Sequence, residues 1–334
     1  MSSLTDAVVV QRETYRRLVL RKRLILAGLV ALLSCSVLLD LALGPASYSF
    51  SEVLGALFSP DSASPQVRVV MWDIRLPVAL MAVAVGAALS LAGAQMQTIL
   101  NNPLASPFTL GISAAAGFGA ALGLAFGVAL FPLAAQFMVP LNAFIMAMLS
   151  ALLIHFLSMR RGVTAETIVL LGIALVFTFN ALLALVQFFA TEQAVAAVVF
   201  WTMGSLTKAT WPKLGVICLV ILITLAIFAK RAWALTALRL GDDKAASFGI
   251  NVRSLRFQTL IMVSLLASFP VAFVGTIGFI GLVGPHIARL LIGEDQRFFL
   301  PGDYNYNDNK RLTTAIAEGA RGAYWDILRK MRAQ

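Results

Sequence analysis

Few residues in this 334-residue chain could do chemistry, and their spacing fits no common catalytic or metal site. The two histidines, His155 and His286, are far apart, and the two cysteines, Cys35 and Cys218, each lie inside an apolar run. Such cysteines are typical of small packing residues, with neither disulfide nor zinc-motif spacing. The nucleotide-binding pattern G-x-x-x-x-G-K-[ST] occurs nowhere. The sequence therefore predicts a chain that is not an enzyme and holds no metal.

The most informative polar segment is residues 240–252, LGDDKAASFGINV, which separates two strongly apolar segments, 214–228 and 260–280. It is short, carries both signs of charge and is bounded by glycine. Composition alone favours a solvated connector. A contact surface for a partner protein is the other interpretation, and the rest of the chain has to decide between them.

The elements that position this segment belong to a membrane protein. The chain is 60% apolar and only 13% charged, and its mean hydropathy is +0.87. A soluble domain of this length could not bury so much apolar surface, so the sequence predicts an all-α, polytopic transmembrane bundle. The net charge of +10 comes from basic residues clustered at the ends of apolar runs. That pattern indicates membrane topology and argues against nucleic-acid binding.

The apolar runs predict about eight spans. No charged residue occurs in residues 76–159, so this stretch must be divided at its turn signals, such as Asn102-Pro103 and Pro132. We predict a basic leader over residues 1–23, a membrane domain over 24–302 and a polar tail over 303–334. The predicted spans are residues 24–44, 76–99, 108–130, 137–158, 168–190 and 214–228, then one that starts near 260 and a broken segment to 292.

The distribution of basic residues predicts the orientation. With the N-terminus inside, the cytoplasmic segments before residue 257 hold fourteen Lys and Arg residues, and the outside segments hold only Arg68, Arg75, Lys208 and Lys213. The positive-inside rule favours this arrangement, which makes the 240–252 segment cytoplasmic. Within residues 76–161 the membrane interior offers only one ionisable side chain, His155. Proton-coupled carriers generally need more such groups, although an ion-coupled secondary transporter stays an alternative.

Small residues predict how two segments pack. From Gly111 to Gly127 a small residue recurs every four positions, which favours a smooth ridge against another helix. Gly275, Gly278 and Gly281 recur at three-residue spacing and make a continuous helix unfavourable. Broken backbone at membrane depth is tolerated where it is buried in protein or lines a cavity. Simple packing and a functional cavity are both compatible with this second pattern.

Five motifs in one order carry a family resemblance. They are RLP at 75–77, NNPLASPFTLGISAAAG at 101–117, FWTMGSL at 200–206, LGDDKAASFGI at 240–250 and VGTIGFIGLVGPHIARLLIG at 274–293. Together they resemble the FecCD/BtuC-like permease subunits of iron-siderophore, haem and cobalamin ABC importers. The resemblance covers roughly residues 10–302.

The resemblance implies partners and a place in the cell. It implies a multi-pass protein of the bacterial inner membrane that pairs with a second permease copy or a paralogue. ABC ATPase subunits would bind ATP and Mg²⁺ on the cytoplasmic side, so no cofactor is expected on this chain. A periplasmic binding protein would dock outside. The 240–252 segment would form coupling helices against the ATPase, through Leu240, Gly241, Asp242, Asp243, Lys244, Ala246 and Gly249.

The resemblance also assigns roles to other motif residues. The translocation path would be lined by small and apolar groups, with Asn180, Phe177, Gly275, Gly278 and Gly281 as candidates. Packing of the aromatic side chains against lipid or core is an equal alternative. A structural role is expected for Arg75, Pro77, Asn102, Pro103, Leu104, Pro107, Gly111, Gly204, Pro285, His286 and Arg289.

The expected substrate is a ferric siderophore, with haem or cobalamin as alternatives. One feature departs from the family, whose members have ten spans. After residue 302 the chain reads DYNYNDNKRLTTAIAEGARGAYWDILRKMRAQ, and its longest uncharged stretch, 312–317, is far too short to span a bilayer. The tail is therefore predicted not to cross the membrane. A truncated, non-transporting product is a further alternative.

Overall fold

The computed structural model describes residues 2–43, 48–130, 137–158 and 165–292. Every regular element in those ranges is helical, which confirms the predicted all-α class. The predicted tail at 303–334 and the turn at Arg160 and Arg161 lie outside the described residues. The α-helices are α1 (Ser2–Ala42), α2 (Phe50–Phe58), α3 (Pro65–Val69), α4 (Leu76–Ile99), α5 (Ile112–Phe126), α6 (Met138–Ser158), α7 (Ala165–Phe189), α8 (Glu192–Thr202), α9 (Trp211–Lys230), α10 (Ala232–Leu238), α11 (Asp242–Ser247), α12 (Val252–Val274) and α13 (Ile280–Ile292).

Long apolar helices dominate the structure. Among the described residues, six helical stretches are long and apolar enough to cross a membrane: Val19–Ala42, Pro65–Ile99, Met138–Leu157, Glu166–Phe189, Trp211–Lys230 and Val252–Val274. The apolar helices α5 and α13 have 15 and 13 residues, fewer than the roughly 20 that span a bilayer core. The predicted membrane bundle is confirmed. The count of eight spans stays a prediction.

Residues 45–75, between the first two predicted spans, are largely helical where the structure describes them. The Ser49 hydroxyl accepts from the Glu52 backbone, and the Glu52 carboxylate accepts from the Ser49 backbone at 2.8 Å. The bond from the Ser49 backbone, and then a second that the Ser49 hydroxyl donates to the same carboxylate at 2.8 Å, lower the pKa of Glu52. The chain then runs from α3 through a π-helical turn, Val70–Arg75, into α4 without a break. A capping box and a proline in the first turn are helix starts, even in polar sequence.

Helix α4 is the packing centre of the bundle. It contacts α9, α12 and α13, and Met81, Met96 and Ile99 along it are fully buried. A second group, α5 with α6 and α7, packs beside it through α12. Helices α4 and α13 approach each other closely, since a Cβ atom added to Gly93 would overlap the carbonyl oxygen of Gly281. Small residues permit such backbone contact, which is a main source of helix association in membranes.

Two groups of long-range contacts define opposite faces. On the first, which we call the loop face, Arg256 Nε donates to the Ile99 carbonyl at 3.0 Å, and the His155 and Phe257 rings lie 3.9 Å apart. On the second, the tryptophan face, Trp211 Nε1 donates to the Trp72 carbonyl at 3.0 Å. The 240–252 segment and the end of α4 therefore lie on the same face, as the predicted topology requires.

The contact between α4 and α13 gives a stability prediction. We expect Gly93→Ala to lower the free energy of unfolding by about 1–3 kcal/mol, because the methyl group forces the two backbones apart. Gly86→Ala is the matched control, since its added Cβ meets no atom within 4 Å. Thermal unfolding in detergent measures both variants. Equal unfolding midpoints for the two would contradict the predicted contact.

Candidate functional sites

The 240–252 segment forms a short helix that stands out from the bundle. Helix α11 begins after Gly241, with φ of 106°, and the chain turns away at Gly249, with φ of 79°. Both angles lie in the region that favours glycine, so these two residues bound the helix, as the resemblance implies. Within α11 only Ala245 is buried. The exposed residues of the segment include Leu240, Asp242, Asp243, Lys244 and Ala246.

One arginine of α12 fixes this short helix to the bundle. Arg256 Nη2 donates to both carboxylate oxygens of Asp242, at 3.0 and 3.2 Å, while its Nε bonds the end of α4. A cavity of about 320 Å³ opens beside the pair, lined also by His155, Asp243 and Arg253. His155 lies at the end of α6 and is buried against Phe257. The loop face thus combines the exposed helix α11 with a cavity that is lined by charged side chains.

A second site lies where α12 is interrupted. Gly275 and Gly204 have φ of 85° and 71°, and an added Cβ on Gly275 would overlap the Trp201 carbonyl. The Ser205 amide donates to the Val274 carbonyl at 2.6 Å. The Thr276 hydroxyl donates to the Thr202 carbonyl. The helix break predicted from the glycine spacing is therefore present, and it is fastened to the end of α8.

A cavity of about 300 Å³ adjoins this break. Its walls come from α5, α7, α8 and the interrupted segment. Both apolar and neutral polar groups line it: Phe108, Ser113, Ala114, Gly117, Val176, Asn180, Leu183, Thr202 and Thr276. None of these carries a charge. A large solute that offers hydrogen-bonding groups suits such walls, since ligand pockets combine apolar surface with a few polar groups.

The predicted path residues occupy different places. Asn180 lines the cavity, and Gly278 lies beside it, where an added Cβ would be 3.8 Å from Phe108. Gly281 instead packs against α4, with an added Cβ 3.1 Å from the Leu89 carbonyl. Phe177 is 71% exposed and is not among the residues that line this cavity. Sequence reasoning missed Ser113, Thr202 and Thr276, because isolated hydroxyl residues in three apolar segments give no local signal.

Among the residues predicted to be structural, Arg75 connects two long helices. Its guanidinium donates to the Leu41 carbonyl at 2.6 Å and lies over the Tyr48 ring, 5.0 Å from the centroid. This ties the end of α1 to the start of α4. Pro77 is buried directly after the π-helical turn, where it removes one backbone donor from the continuous helical run. Both residues fix how the first two long helices meet.

The turn after α4 is shaped by its own side chains. Asn102 Oδ1 accepts from the Leu104 amide at 2.9 Å, and Pro107 is buried while Pro103 and Leu104 are exposed. Gly111, with φ of 75°, then allows the chain to enter α5 close to α7. These residues position the polypeptide beside the cavity.

The motif at the end of the described chain belongs to α13. Pro285 is buried within the helix, and Arg289 Nε donates to the Pro285 carbonyl at 3.3 Å. His286 is exposed. A proline inside a helix removes one backbone donor, so its neighbours must satisfy the freed carbonyl groups by other contacts.

The tryptophan face carries two lysines near its surface. Lys213 Nζ donates to the Lys208 carbonyl at 2.8 Å, and Lys208 lies 5.9 Å from the Trp201 ring centroid. Burial, and then the charge of Lys213, lower the pKa of Lys208. The Trp72 and Trp211 rings lie 6.2 Å apart beside them. Tryptophan at the ends of spans is typical of a membrane–water interface.

Known proteins resemble this chain over most of its length. It is 37% identical over 289 residues to the ABC transporter permease protein MJ0087 of Methanocaldococcus jannaschii, covering 84% of this chain and 82% of that protein. It is 35% identical to the hemin transport system permease protein HmuU of Yersinia pestis, again covering 84% and 82%. A solved structure, described as an inward-facing conformation of a metal-chelate type ABC transporter, matches with a TM-score of 0.72 and 29% identity, covering 83% and 84%. Other relatives are named for import of molybdate and vitamin B12 and for transport of iron chelatin.

The fold and these similarities define a class. A multi-pass bundle of apolar helices that superimposes on an ABC transporter and aligns with transporter permeases is the membrane permease subunit of an ABC importer. Residues 32–303 match the model of the FecCD transport family, and the chain belongs to that family. Its members work in the membrane with separate ABC ATPase subunits, which hydrolyse the ATP.

The cavity gives an accessibility prediction. In a Cys35→Ser, Cys218→Ser background, we expect Asn180→Cys to react at least about tenfold faster than Phe177→Cys with a water-soluble methanethiosulfonate. A thiol in the cavity meets water and ionises, whereas one facing lipid does not. The two positions lie one turn apart on α7 and differ in whether they line the cavity. Equal reaction rates in membrane vesicles would mean that Asn180 does not mark a water-accessible cavity.

Proposed function

We propose that the chain is the permease subunit of an ATP-driven importer of ferric siderophores. The observation that carries the proposal is the lining of the 300 Å³ cavity, which combines Ser113, Asn180, Thr202 and Thr276 with apolar groups. A siderophore wraps Fe³⁺ in oxygen ligands and presents a bulky surface of carbonyl, hydroxyl and apolar groups. Neutral hydrogen-bonding walls can accompany such a solute without holding it tightly, as passage requires.

Haem and cobalamin are the alternative substrates. The relatives named for hemin and vitamin B12 support them. The iron chelatin relatives, 38% and 37% identical over 68% of this chain, support the siderophore. A small bare oxyanion such as molybdate suits the cavity less well, because no Lys or Arg lines it among the described residues.

The two faces support the proposed orientation. The loop face joins the ends of α4 and α6 to the 240–252 segment. The inside segments of the predicted topology, which include these, hold fourteen Lys and Arg residues, whereas the outside segments hold four. By the positive-inside rule the loop face and the N-terminus are cytoplasmic. The membrane in this proposal is the bacterial inner membrane, which the family resemblance implies. A periplasmic binding protein then docks on the tryptophan face, and a second permease copy or paralogue completes the path.

The proposed mechanism is alternating access driven by the partner ATPases. Their closure on ATP moves the cytoplasmic helix α11 and reorients the bundle around the cavity. The chain contributes binding surface and movement, and it binds no cofactor itself. An ion-coupled secondary transporter has no support from the family, which works with ATPase subunits.

Reconstitution tests the substrate. The chain and its ATPase are reconstituted in proteoliposomes together with the binding protein. Four substrates are tested separately: the iron-55 complexes of a hydroxamate and of a catecholate siderophore, labelled haem and labelled cobalamin. We expect ATP-dependent uptake of a ferric siderophore that an ionophore leaves unchanged. Uptake of haem or cobalamin alone would assign the alternative substrate. Uptake without ATP that an ionophore abolishes would overturn the ABC mechanism, and no uptake by an assembled complex would indicate a non-transporting product.

The role of the 240–252 segment is tested by a glycine substitution. Proline is locked near φ −65°, so Gly249→Pro cannot adopt the observed 79°. We expect co-purification of the ATPase in detergent to fall at least about tenfold, while membrane insertion is unchanged. Gly249→Asn is the matched control, since asparagine tolerates the left-handed region. ATPase binding that survives in the proline variant would remove the segment from the interface.

A further inference from the structure

Arg256 joins two parts of the loop face that are far apart in sequence. Its Nη2 atom reaches both carboxylate oxygens of Asp242 on α11, at 3.0 and 3.2 Å. Its Nε atom reaches the carbonyl of Ile99, the last residue of α4, at 3.0 Å. A single guanidinium on α12 therefore bonds α11 and α4 at the same time. We propose that Arg256 is the mechanical link that makes α4 follow the movement of α11.

The end of α4 needs a partner of this kind. The last carbonyl groups of a helix find no hydrogen-bond donor within the helix, and the partial negative charge at this end favours a cation. Arg256 supplies both the donor and the charge at Ile99. Because α4 packs against α9, α12 and α13, a displacement of its end is transmitted to most of the bundle.

Helix α11 has few other attachments. Only Ala245 is buried, and the neighbouring residues from Asp242 to Gly249 are exposed. Its packing partners are α10 and α12. The ion pair with Arg256 is thus the polar contact through which the described structure holds the first turn of α11.

The chemistry requires arginine in particular. The guanidinium presents donors on two edges of a rigid plane, so it can bond a carboxylate with one edge and a carbonyl with another. Lysine has a single ammonium group and cannot hold both partners in this arrangement. The Arg256 side chain is 25% exposed and that of Asp242 is 56% exposed. At such exposure an ion pair contributes little to stability, so the expected effect of its loss is on movement, not on folding.

The inference rests on the proposed role of the 240–252 segment as the ATPase contact, and it is tested separately from that role. Spin labels are attached at Ser247→Cys on α11 and Leu104→Cys just beyond α4, in a Cys35→Ser, Cys218→Ser background. Both positions are exposed. Double electron–electron resonance then measures the distance between the labels in the complex with the ATPase, with and without Mg-ATP. This readout needs neither the substrate nor the cavity.

We expect a narrow distance distribution that ATP leaves unchanged in the parent protein, because α11 and α4 move together. In Arg256→Gln the distribution should broaden and shift on adding ATP, while ATP hydrolysis stays within about twofold of the parent. In Asp242→Asn, which keeps the bond to Ile99 and removes the charge of the ion pair, the distance distribution should also broaden. Arg256→Lys should be intermediate, because it retains one of the two contacts.

Arg253→Gln is the matched control, since it removes the same charge from an exposed position one turn earlier on α12. It should resemble the parent. An unchanged distribution in both Arg256→Gln and Asp242→Asn would overturn the link. If the distance distribution broadened equally in Arg253→Gln, the effect would come from the loss of any positive charge on α12 and the proposed link would be wrong. Loss of ATPase binding in Arg256→Gln would place the residue in the docking surface and would likewise overturn the proposal.

Discussion

The structure depends on one constraint, which is that backbone amides and carbonyls inside a membrane must bond within the protein. A continuous helix meets this constraint by itself, and an interrupted one does not. At the interruption after α12 the Val274 carbonyl accepts from the Ser205 amide, just beyond α8, and the Thr276 hydroxyl donates to the Thr202 carbonyl at the end of α8. Two glycines, Gly204 and Gly275, make this possible, because each sits where a Cβ atom would strike the other segment. The cavity adjoins this junction, and Thr202 and Thr276 belong to its lining.

The sequence predicted the parts of the fold that local composition determines. Apolar length located the six long apolar helices of the described residues, glycine spacing located the interruption near Gly275, and Gly241 and Gly249 bounded α11. Helices α2 and α8 could not be found in this way, because 9 and 11 residues of ordinary composition are too short to show a membrane period. Their caps, Ser49 with Glu52 and Thr191, were the available signal.

The candidate sites were predicted less completely, for a physical reason. Asn180 could be singled out, since an amide in an apolar helix is costly unless it has a role. The hydroxyl residues of the cavity, Ser113, Thr202 and Thr276, could not be singled out. A hydroxyl group often bonds a carbonyl of its own helix, so its presence in an apolar segment does not indicate a functional site. The Thr98 hydroxyl does this with the Ala94 carbonyl and the Thr202 hydroxyl does it with the Val199 carbonyl, both at 2.8 Å, yet of these two only Thr202 lines the cavity. Only the tertiary structure distinguishes hydroxyl residues that line the cavity from those that do not. The bond between Arg256 and Ile99 could not be predicted either, because the two residues are 157 positions apart in the sequence.

The interruption of α12 has an electrical consequence as well. It leaves the carboxyl end of α12 buried at Val274, beside Thr276 in the cavity wall, while the amino end of α13 begins a few residues further on at the exposed Ile280. Aligned peptide dipoles place about half an elementary charge, negative at the first end and positive at the second, at such termini. In a medium of low dielectric constant these partial charges act over several ångströms. A cavity whose described lining carries no charged side chain therefore still has a field, which can orient a polar solute and cannot be neutralised by a change in pH.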